Sequence, residues 1–271
     1  MYRQEAHFKK FLRPSNIRWA LLLVVLLFTF DIQAQKNTKD SIQNEIKRLK
    51  SQNNFTVKDS IYINLLNGLG KEQRFYNSDS LLHLSKQALK LSRVINFKFG
   101  ESKALLGLGD YYSDKGNHKK AISYYQESFK ISNKARIQEI SLMSKNNLAG
   151  EYMYKGDYTN SLTHYLEGID MAKQYNDKLM LSIMNENVAN LYATQNDYEQ
   201  ALDFYKNVKK INNELGDDVI SAESMSNMGS LYADMGKLDY AMFNINSSIT
   251  IFEEHGIMDW LAYAYEIKGK V

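Results

Sequence analysis

Two segments, LAGEYMYKGDYTNSLTHYLEG at residues 148–168 and VANLYATQNDYEQALDFYKNV at residues 188–208, share one pattern of small, aromatic and turn residues. In both, a tyrosine is followed by glycine or asparagine four positions later and by serine or alanine nine positions later. The second segment begins forty residues after the first. A repeat of this length predicts supersecondary units that stack on their neighbours and share a continuous core.

The same pattern recurs through most of the chain. The repeated markers are Tyr112, Tyr152, Tyr192 and Tyr232; Gly116, Gly156, Asn196 and Gly236; and Ala121, Ser161, Ala201 and Ala241. Because these markers keep one spacing over four units, they predict a structural role. We expect the four tyrosines to be buried between the helices of their units.

Each unit is predicted to form two helices. In the third unit, Val188 and Tyr192 lie on one apolar stripe at helical spacing, and Ala201 and Tyr205 lie on a second. Asn196 interrupts the two stripes and suits a left-handed residue that ends the first helix. The short connection predicts a tight hairpin of two helices. Turns between units are predicted at Asn176, Gly216 and Gly256.

These residues resemble the tetratricopeptide repeat family, whose pattern is a leucine and a small residue, then tyrosine, glycine, alanine and a second aromatic residue. Here the pattern reads Leu108, Gly109, Tyr112, Gly116, Ala121 and Tyr125. The resemblance implies an all-α fold, a right-handed superhelical solenoid of antiparallel helix pairs. The family unit has about 34 residues, so a forty-residue unit implies longer helices. The proline usual near the end of the second helix is absent, because Pro14 is the only proline.

The chain is predicted to have three parts. Residues 1–34 form a leader, residues 35–61 a polar amino-terminal helix or tail, and residues 62–271 the solenoid. The expected units are 62–101, which is degenerate, then 102–141, 142–181, 182–221, 222–261 and a partial unit at 262–271. Because the pattern breaks off inside a unit, we expect this chain to be part of a longer protein.

The leader has the features of a secretory signal peptide. Its apolar run, residues 19–30, follows a basic segment and is shorter than the roughly 20 residues that span a bilayer. Cleavage is predicted after Ala34, which would place the mature chain outside the cytoplasm, in the periplasm. Ile32 is larger than the residue preferred at that site, so an uncleaved inner-membrane anchor is the alternative. A lipid anchor is excluded, because the chain has no cysteine.

The composition, 44% hydrophobic and 24% charged, is that of a folded protein. The net charge of +3 comes from the leader, because residues 1–34 carry five basic and two acidic side chains. Residues 35–271 therefore have no net charge and lack the positive field that nucleic-acid binding requires. We expect no nucleic-acid partner, and membrane contact only through the leader or a missing carboxyl-terminal part.

Catalytic and metal-binding motifs are not found. None of the five histidines has a second histidine or an acidic pair at metal-ligand spacing. Gly107 and Gly109 lie close together, but no strand precedes them and no Lys-Ser/Thr pair follows, so they indicate close helix packing. We predict no metal, no cofactor and no enzymatic activity.

Candidate binding residues come from the resemblance, which implies a groove lined by the first helix of each unit. Five positions before the tyrosine stand Asn147, Asn187 and Asn227, which resemble the asparagine ladder of peptide-binding members. Asn146 and Asn190 are neighbouring candidates. A carboxamide both donates and accepts hydrogen bonds, so it matches a peptide unit of any sequence. The alternative is that these asparagines bond the backbone of a neighbouring helix.

Two functions are compatible with this pattern. The first is a non-catalytic module outside the cytoplasm that binds a protein or an extended peptide in the groove. The second is the sensory input region of a larger histidine-kinase or helix-turn-helix signalling protein. The leader and the forty-residue units resemble the repeat region of extracytoplasmic sensor and regulator proteins of Bacteroidota.

Overall fold

The computed structural model describes residues 38–57 and 59–271, and all regular structure within them is helical. The predicted leader at 1–34, with its cleavage site at Ala34, lies outside the described residues. The described helices are α1 (38–50), α2 (Ser60–Gln73), α3 (Ser78–Val94), α4 (Lys98–Asp114), α5 (His118–Lys134), α6 (Gln138–Tyr154), α7 (Tyr158–Tyr175), α8 (Lys178–Thr194), α9 (Tyr198–Leu215), α10 (Asp218–Asp234), α11 (Leu238–His255) and α12 (Met258–Lys270). The predicted all-α repeat fold is confirmed.

The chain divides into two compact units, Met1–Gly100 and Glu101–Val271. In the first unit, α2 and α3 form an antiparallel pair, with Ile63 and Leu81 almost fully buried. Asp59 caps α2, because its carboxylate accepts a hydrogen bond of 2.7 Å from the backbone N–H of Ile61. The degenerate amino-terminal repeat therefore still forms a helix pair.

In the second unit, first helices (α4, α6, α8, α10 and α12) alternate with second helices (α5, α7, α9 and α11), and each helix packs on the next. The second helices are amphipathic. On α9, Ala201, Tyr205 and Val208 are buried at helical spacing, whereas Asp203 and Lys206 are exposed. The first helices α4, α6, α8 and α10 keep only a narrow, partly exposed stripe, whereas α12 is largely exposed.

The predicted turn residues have the expected backbone conformation. Within each forty-residue repeat unit, the left-handed positions are Gly116, Gly156, Asn196 and Gly236, with φ between 60° and 73°. Between units they are Asn96, Arg136, Asn176, Gly216 and Gly256. Arg136, with φ of 57°, was not predicted, because arginine seldom adopts a conformation that crowds its Cβ. The second residue of each turn therefore controls where one helix ends.

The residue after the turn often caps the next helix. Asn117, Asp157 and Asp197 accept hydrogen bonds from the backbone N–H three residues later, at 3.2, 3.2 and 3.4 Å. Asp177 and Asp217 cap the first helices α8 and α10 at 3.0 Å. Each cap stabilises its helix by about 1 kcal/mol. The turns therefore start the following helix as well as ending the preceding one.

The two helices of a unit cross at a small residue. A Cβ added at Gly109 would lie 2.3 Å from the ring of Tyr125, and one added at Gly229 would lie 2.6 Å from Ile245. Ala149 takes the equivalent position and is fully buried. Gly109 therefore allows close helix packing, as predicted.

The marker tyrosines differ from the expectation, because they are partly buried. Tyr152 stacks on His164 with ring centroids 5.3 Å apart, and Tyr192 stacks on Phe204 at 5.7 Å. In the same repeats, the tyrosines thirteen positions later are fully buried: Tyr125, Tyr165 and Tyr205 are each at most 3% exposed. The marker tyrosines remain partly exposed because they lie near the end of the first helix, where the second helix covers one side of the ring.

We predict that Gly109→Ala lowers the free energy of unfolding by about 1–3 kcal/mol, because the new methyl group forces the buried ring of Tyr125 to shift. Gly150→Ala is the matched control, since its Cβ has ordinary contacts and alanine favours helix by about 1 kcal/mol. Chemical denaturation of both variants checks this. Equal stabilities would contradict the close helix crossing.

Candidate functional site

Each first helix of the second unit presents one partly exposed stripe, and we call these stripes together the first-helix face. Along α6 the stripe repeats every three or four residues, so its members lie on one side of the helix. The members are Lys103, Gly107, Asp110 and Ser113 on α4; Met143, Asn146, Asn147, Gly150 and Met153 on α6; Ile183, Glu186, Asn187, Asn190 and Ala193 on α8; and Glu223, Asn227, Ser230 and Ala233 on α10. All five predicted groove residues lie on this face.

Three of the predicted asparagines connect successive helices. Asn187 on α8 donates a hydrogen bond of 2.9 Å to Asn146 on α6. Asn146 contacts Asn147 at 3.4 Å, and Asn147 donates a bond of 3.2 Å to Asp110 on α4. The partners are side chains of neighbouring first helices and not their backbone. The carboxamides thus form a continuous polar series across three units.

The other two predicted residues have different surroundings. The side-chain oxygen of Asn190 accepts a hydrogen bond from the hydroxyl of Tyr205. Burial raises the pKa of Tyr205 above its ordinary value, and the nearby carboxylate of Glu186 adds to the shift. Asn227 is partly buried and makes no side-chain hydrogen bond to any other described residue.

The carboxyl-terminal half of the face is acidic. Burial, with the charges of Glu186 and Asp217, raises the pKa of Glu223 to about 7. Burial also raises the pKa of Glu186. Within the described part of the chain, neither Glu186 nor Glu223 is paired with a cationic side chain. This part of the face therefore attracts positive charge.

A buried carboxylate that the sequence did not reveal joins two units. Glu151 on α6 is 2% exposed and accepts hydrogen bonds from the hydroxyl of Ser113 and from His118 Nδ1, the latter at 2.8 Å. The hydroxyl of Ser113 donates its hydrogen bond to the carboxylate of Glu151 and not to the imidazole of His118. An activated serine nucleophile would be bonded to the imidazole, so this cluster lacks that arrangement. The one available signal was a glutamate at a position that holds Tyr111, Leu191 and Leu231 in the other regular repeats.

A second charged cluster joins the same units on the side of the second helices. Lys145 forms an ion pair with Glu167 and lies 4.4 Å from the ring centre of Phe129. The bond from Lys145 lowers the pKa of Glu167, whereas burial and then the charge of Lys145 lower the pKa of His164. The cluster satisfies a nearly buried lysine and therefore has a structural role.

The described part of the chain contains neither a cluster of metal ligands nor a helix that could span a membrane. No group of three or more histidine, aspartate and glutamate side chains there is placed to hold a metal ion. No helix between residues 38 and 271, residue 58 excepted, combines the length and apolarity needed to cross a membrane.

Comparison with family models identifies tetratricopeptide repeats. One such model matches residues 140–211 and 179–254, and a second matches residues 102–134. Together they cover more than half of the chain. No curated protein matches the sequence.

Solved structures with a similar fold have low sequence identity. BtubC (BKLC) from P. vanneervenii is 17% identical with a TM-score of 0.69, and the match covers 82% of this chain and 92% of that one. A STAND signal-transduction ATPase from Pyrococcus horikoshii with a tetratricopeptide repeat sensor is 18% identical, with a TM-score of 0.66 and coverage of 78% and 33%. A Rap protein complexed with Competence and Sporulation Factor is 15% identical, with a TM-score of 0.60 and coverage of 92% and 75%. The chain thus spans about a third of the P. horikoshii protein.

We predict that Glu223→Gln raises the melting temperature at about pH 8, because it removes a carboxylate that is unfavourable when ionised. The pKa of Glu223 in the folded chain, about 7, lies above the ordinary value of 4.5. Protonated Glu223 therefore contributes fully to the stability of the folded chain below about pH 4.5, and this contribution is lost as the pH rises through 7. The difference between variant and parent should vanish at acidic pH.

Thermal melts over this pH range check the prediction. Glu254→Gln, on the exposed side of α11, is the control for the loss of one negative charge. A difference for Glu223→Gln that does not change with pH would be evidence against the proposed electrostatics of this face.

Proposed function

This chain belongs to the tetratricopeptide repeat family, and we propose that it is a non-catalytic scaffold that binds an extended peptide segment of a protein partner on the first-helix face. The observation that carries the proposal is the series of carboxamides on successive first helices. Asn187, Asn146 and Asn147 are joined from one helix to the next. Their amide groups therefore recur from one first helix to the next along the first-helix face.

The bonds among these asparagines leave hydrogen-bonding capacity for a ligand. A carboxamide has two N–H groups and an oxygen with two lone pairs. Asn187 uses one N–H on Asn146, and Asn190 uses one lone pair on Tyr205. These asparagines are partly exposed, so the remaining groups are accessible to a ligand. The internal bonds hold the side chains in place, which lowers the entropy that binding would cost.

An extended peptide fits these groups chemically. Its main chain exposes N–H and C=O groups that lose water on binding and must be paired again. Carboxamides pair with both kinds of group without regard to sequence. The Rap protein of similar fold was solved in complex with Competence and Sporulation Factor, which supports a binding role at the level of the fold.

The test compares two sets of asparagine variants. The probe is a set of linear peptides selected from a randomised phage-displayed library on the full chain and then resynthesised. Replacing Asn147, Asn187 and Asn227 with alanine should weaken peptide binding by about 10- to 1,000-fold, since each lost bond contributes about 0.5–1.5 kcal/mol. Stability should fall by about 1–3 kcal/mol, because two bonds between helices are also lost.

The matched control replaces Asn133 and Asn207 with alanine, since both are exposed on second helices. Calorimetric titration should give the parental affinity for this control. Circular dichroism establishes that each variant is folded at the titration temperature. Parental affinity in the folded triple variant would exclude the carboxamides from peptide binding.

We also propose that the mature chain lies outside the cytoplasm. The basis is the apolar run at 19–30 behind five basic residues, followed by Ala34 and Gln35. Amino-terminal sequencing of protein recovered outside the cytoplasm should begin near Gln35. An intact Met1 in that fraction would instead support the uncleaved anchor.

The second candidate function is the sensory input of a larger histidine-kinase or helix-turn-helix signalling protein. The same leader, joined to forty-residue repeats, favours it. The P. horikoshii ATPase has a tetratricopeptide repeat sensor, and its fold is similar to that of this chain. Sequencing the gene beyond the codon for Val271 distinguishes the candidates. An apolar run of about 20 residues followed by kinase or DNA-binding motifs would favour the sensor.

A further inference from the structure

The hydroxyl of Tyr165 is the exception among the buried tyrosines of the second helices. In the unit before it, Tyr125 donates a hydrogen bond of 2.7 Å to Asp110. In the unit after it, Tyr205 donates to Asn190. Tyr165 is 3% exposed, yet its hydroxyl has no hydrogen-bond partner among the described residues.

Gly150 explains this difference. It occupies the repeat position that Asp110 and Asn190 hold in the neighbouring units, and it has no side chain to accept the bond. A Cβ added at Gly150 would lie 3.8 Å from the hydroxyl oxygen of Tyr165, and it would meet no other atom within 4 Å. The hydroxyl oxygen is not enclosed by the protein. The first-helix face therefore has an opening above Gly150 that ends at the hydroxyl of Tyr165.

The side chains around the opening are polar, and the carboxylate of Asp110, at the equivalent level on α4, is bonded to Asn147. Asn146 and Asn147 lie one turn earlier on α6, and Asn190 lies at the equivalent level on α8. Burial, with a smaller contribution from Tyr154, raises the pKa of Tyr165 to about 12. The hydroxyl therefore stays protonated at neutral pH and can donate a hydrogen bond.

We infer that Tyr165 is a ligand-binding residue, whose hydroxyl donates a hydrogen bond to a main-chain carbonyl of an extended peptide that passes over Gly150. The inference rests on the proposed function and names a contact in the same site. Glycine lets a main chain approach closely, because no Cβ intervenes. A carbonyl suits the site better than a carboxylate, because Asp110 and the bordering carboxamides offer no positive charge and Lys145 of α6 is paired with Glu167.

The experiment uses the full chain and the peptides selected on it. Tyr165→Phe removes the hydroxyl alone, so the melting temperature should stay at the parental value. The peptide affinity should weaken by about 2- to 12-fold, the value of one neutral hydrogen bond. A fall in melting temperature together with parental peptide affinity in the folded protein would make the hydroxyl structural and overturn the inference.

Gly150→Asn is the second variant. It introduces the carboxamide that α8 carries at Asn190, so its oxygen can accept the hydroxyl of Tyr165 and its side chain fills the opening. Stability should stay the same or rise, whereas peptide affinity should fall. In this background Tyr165→Phe should weaken binding little further, because the hydroxyl is already occupied. If the losses of peptide affinity in Gly150→Asn and Tyr165→Phe add up in the double variant, the two residues do not act on the same contact and the inference is overturned.

The outcomes separate this inference from the proposed function. Parental affinity in Tyr165→Phe, together with weakened binding in the asparagine triple variant, would overturn the role of Tyr165 and leave the peptide site. Parental affinity in all these variants would overturn both. Failure to select any binding peptide would also overturn both, because the inferred acceptor is a peptide carbonyl.

Discussion

The repeats are held together where a small residue on α4, α6, α8 or α10 contacts a large side chain on the following second helix. At Gly109 and Tyr125, and again at Gly229 and Ile245, the contact leaves no room for one added carbon atom. Such closeness fixes the crossing point of the two helices to within a fraction of a turn. It also buries the second-helix residue and directs the far end of its ring toward the first-helix face. The crossing therefore determines which side of each first helix stays open.

Because every unit has this crossing, equivalent residues of successive first helices lie side by side. Asn187 and Asn146 are 41 positions apart and yet meet at 2.9 Å. Asn147 and Asp110 are 37 positions apart and meet at 3.2 Å. Both separations lie close to the repeat length of forty, so the bonds are a consequence of the packing. A polar series on this face thus needs only one suitable residue in each unit.

The sequence predicts the turns well, because glycine or asparagine at a left-handed position is a local requirement, as at Gly156 and Asn196. It does not distinguish the partly exposed Tyr152 from the buried Tyr165, since both keep the same spacing and only the crossing point separates them. The pairing of Glu151 with His118 is a contact between units without a motif, so no local pattern reveals it. The positions of the asparagines were predictable from the repeat, but their partners were not.

The core of this protein is therefore repetitive, whereas its first-helix face is not. Selection for packing makes the crossing residues alike, but it leaves the stripe free to vary. Asp110, Gly150 and Asn190 hold one repeat position. Asp110 gives its tyrosine partner a charged hydrogen-bond acceptor and Asn190 gives a neutral one, whereas Gly150 gives none. One repeat position thus creates three chemical environments within three units. Recognition of a ligand depends on these differences, because a uniform face would bind a peptide in any register.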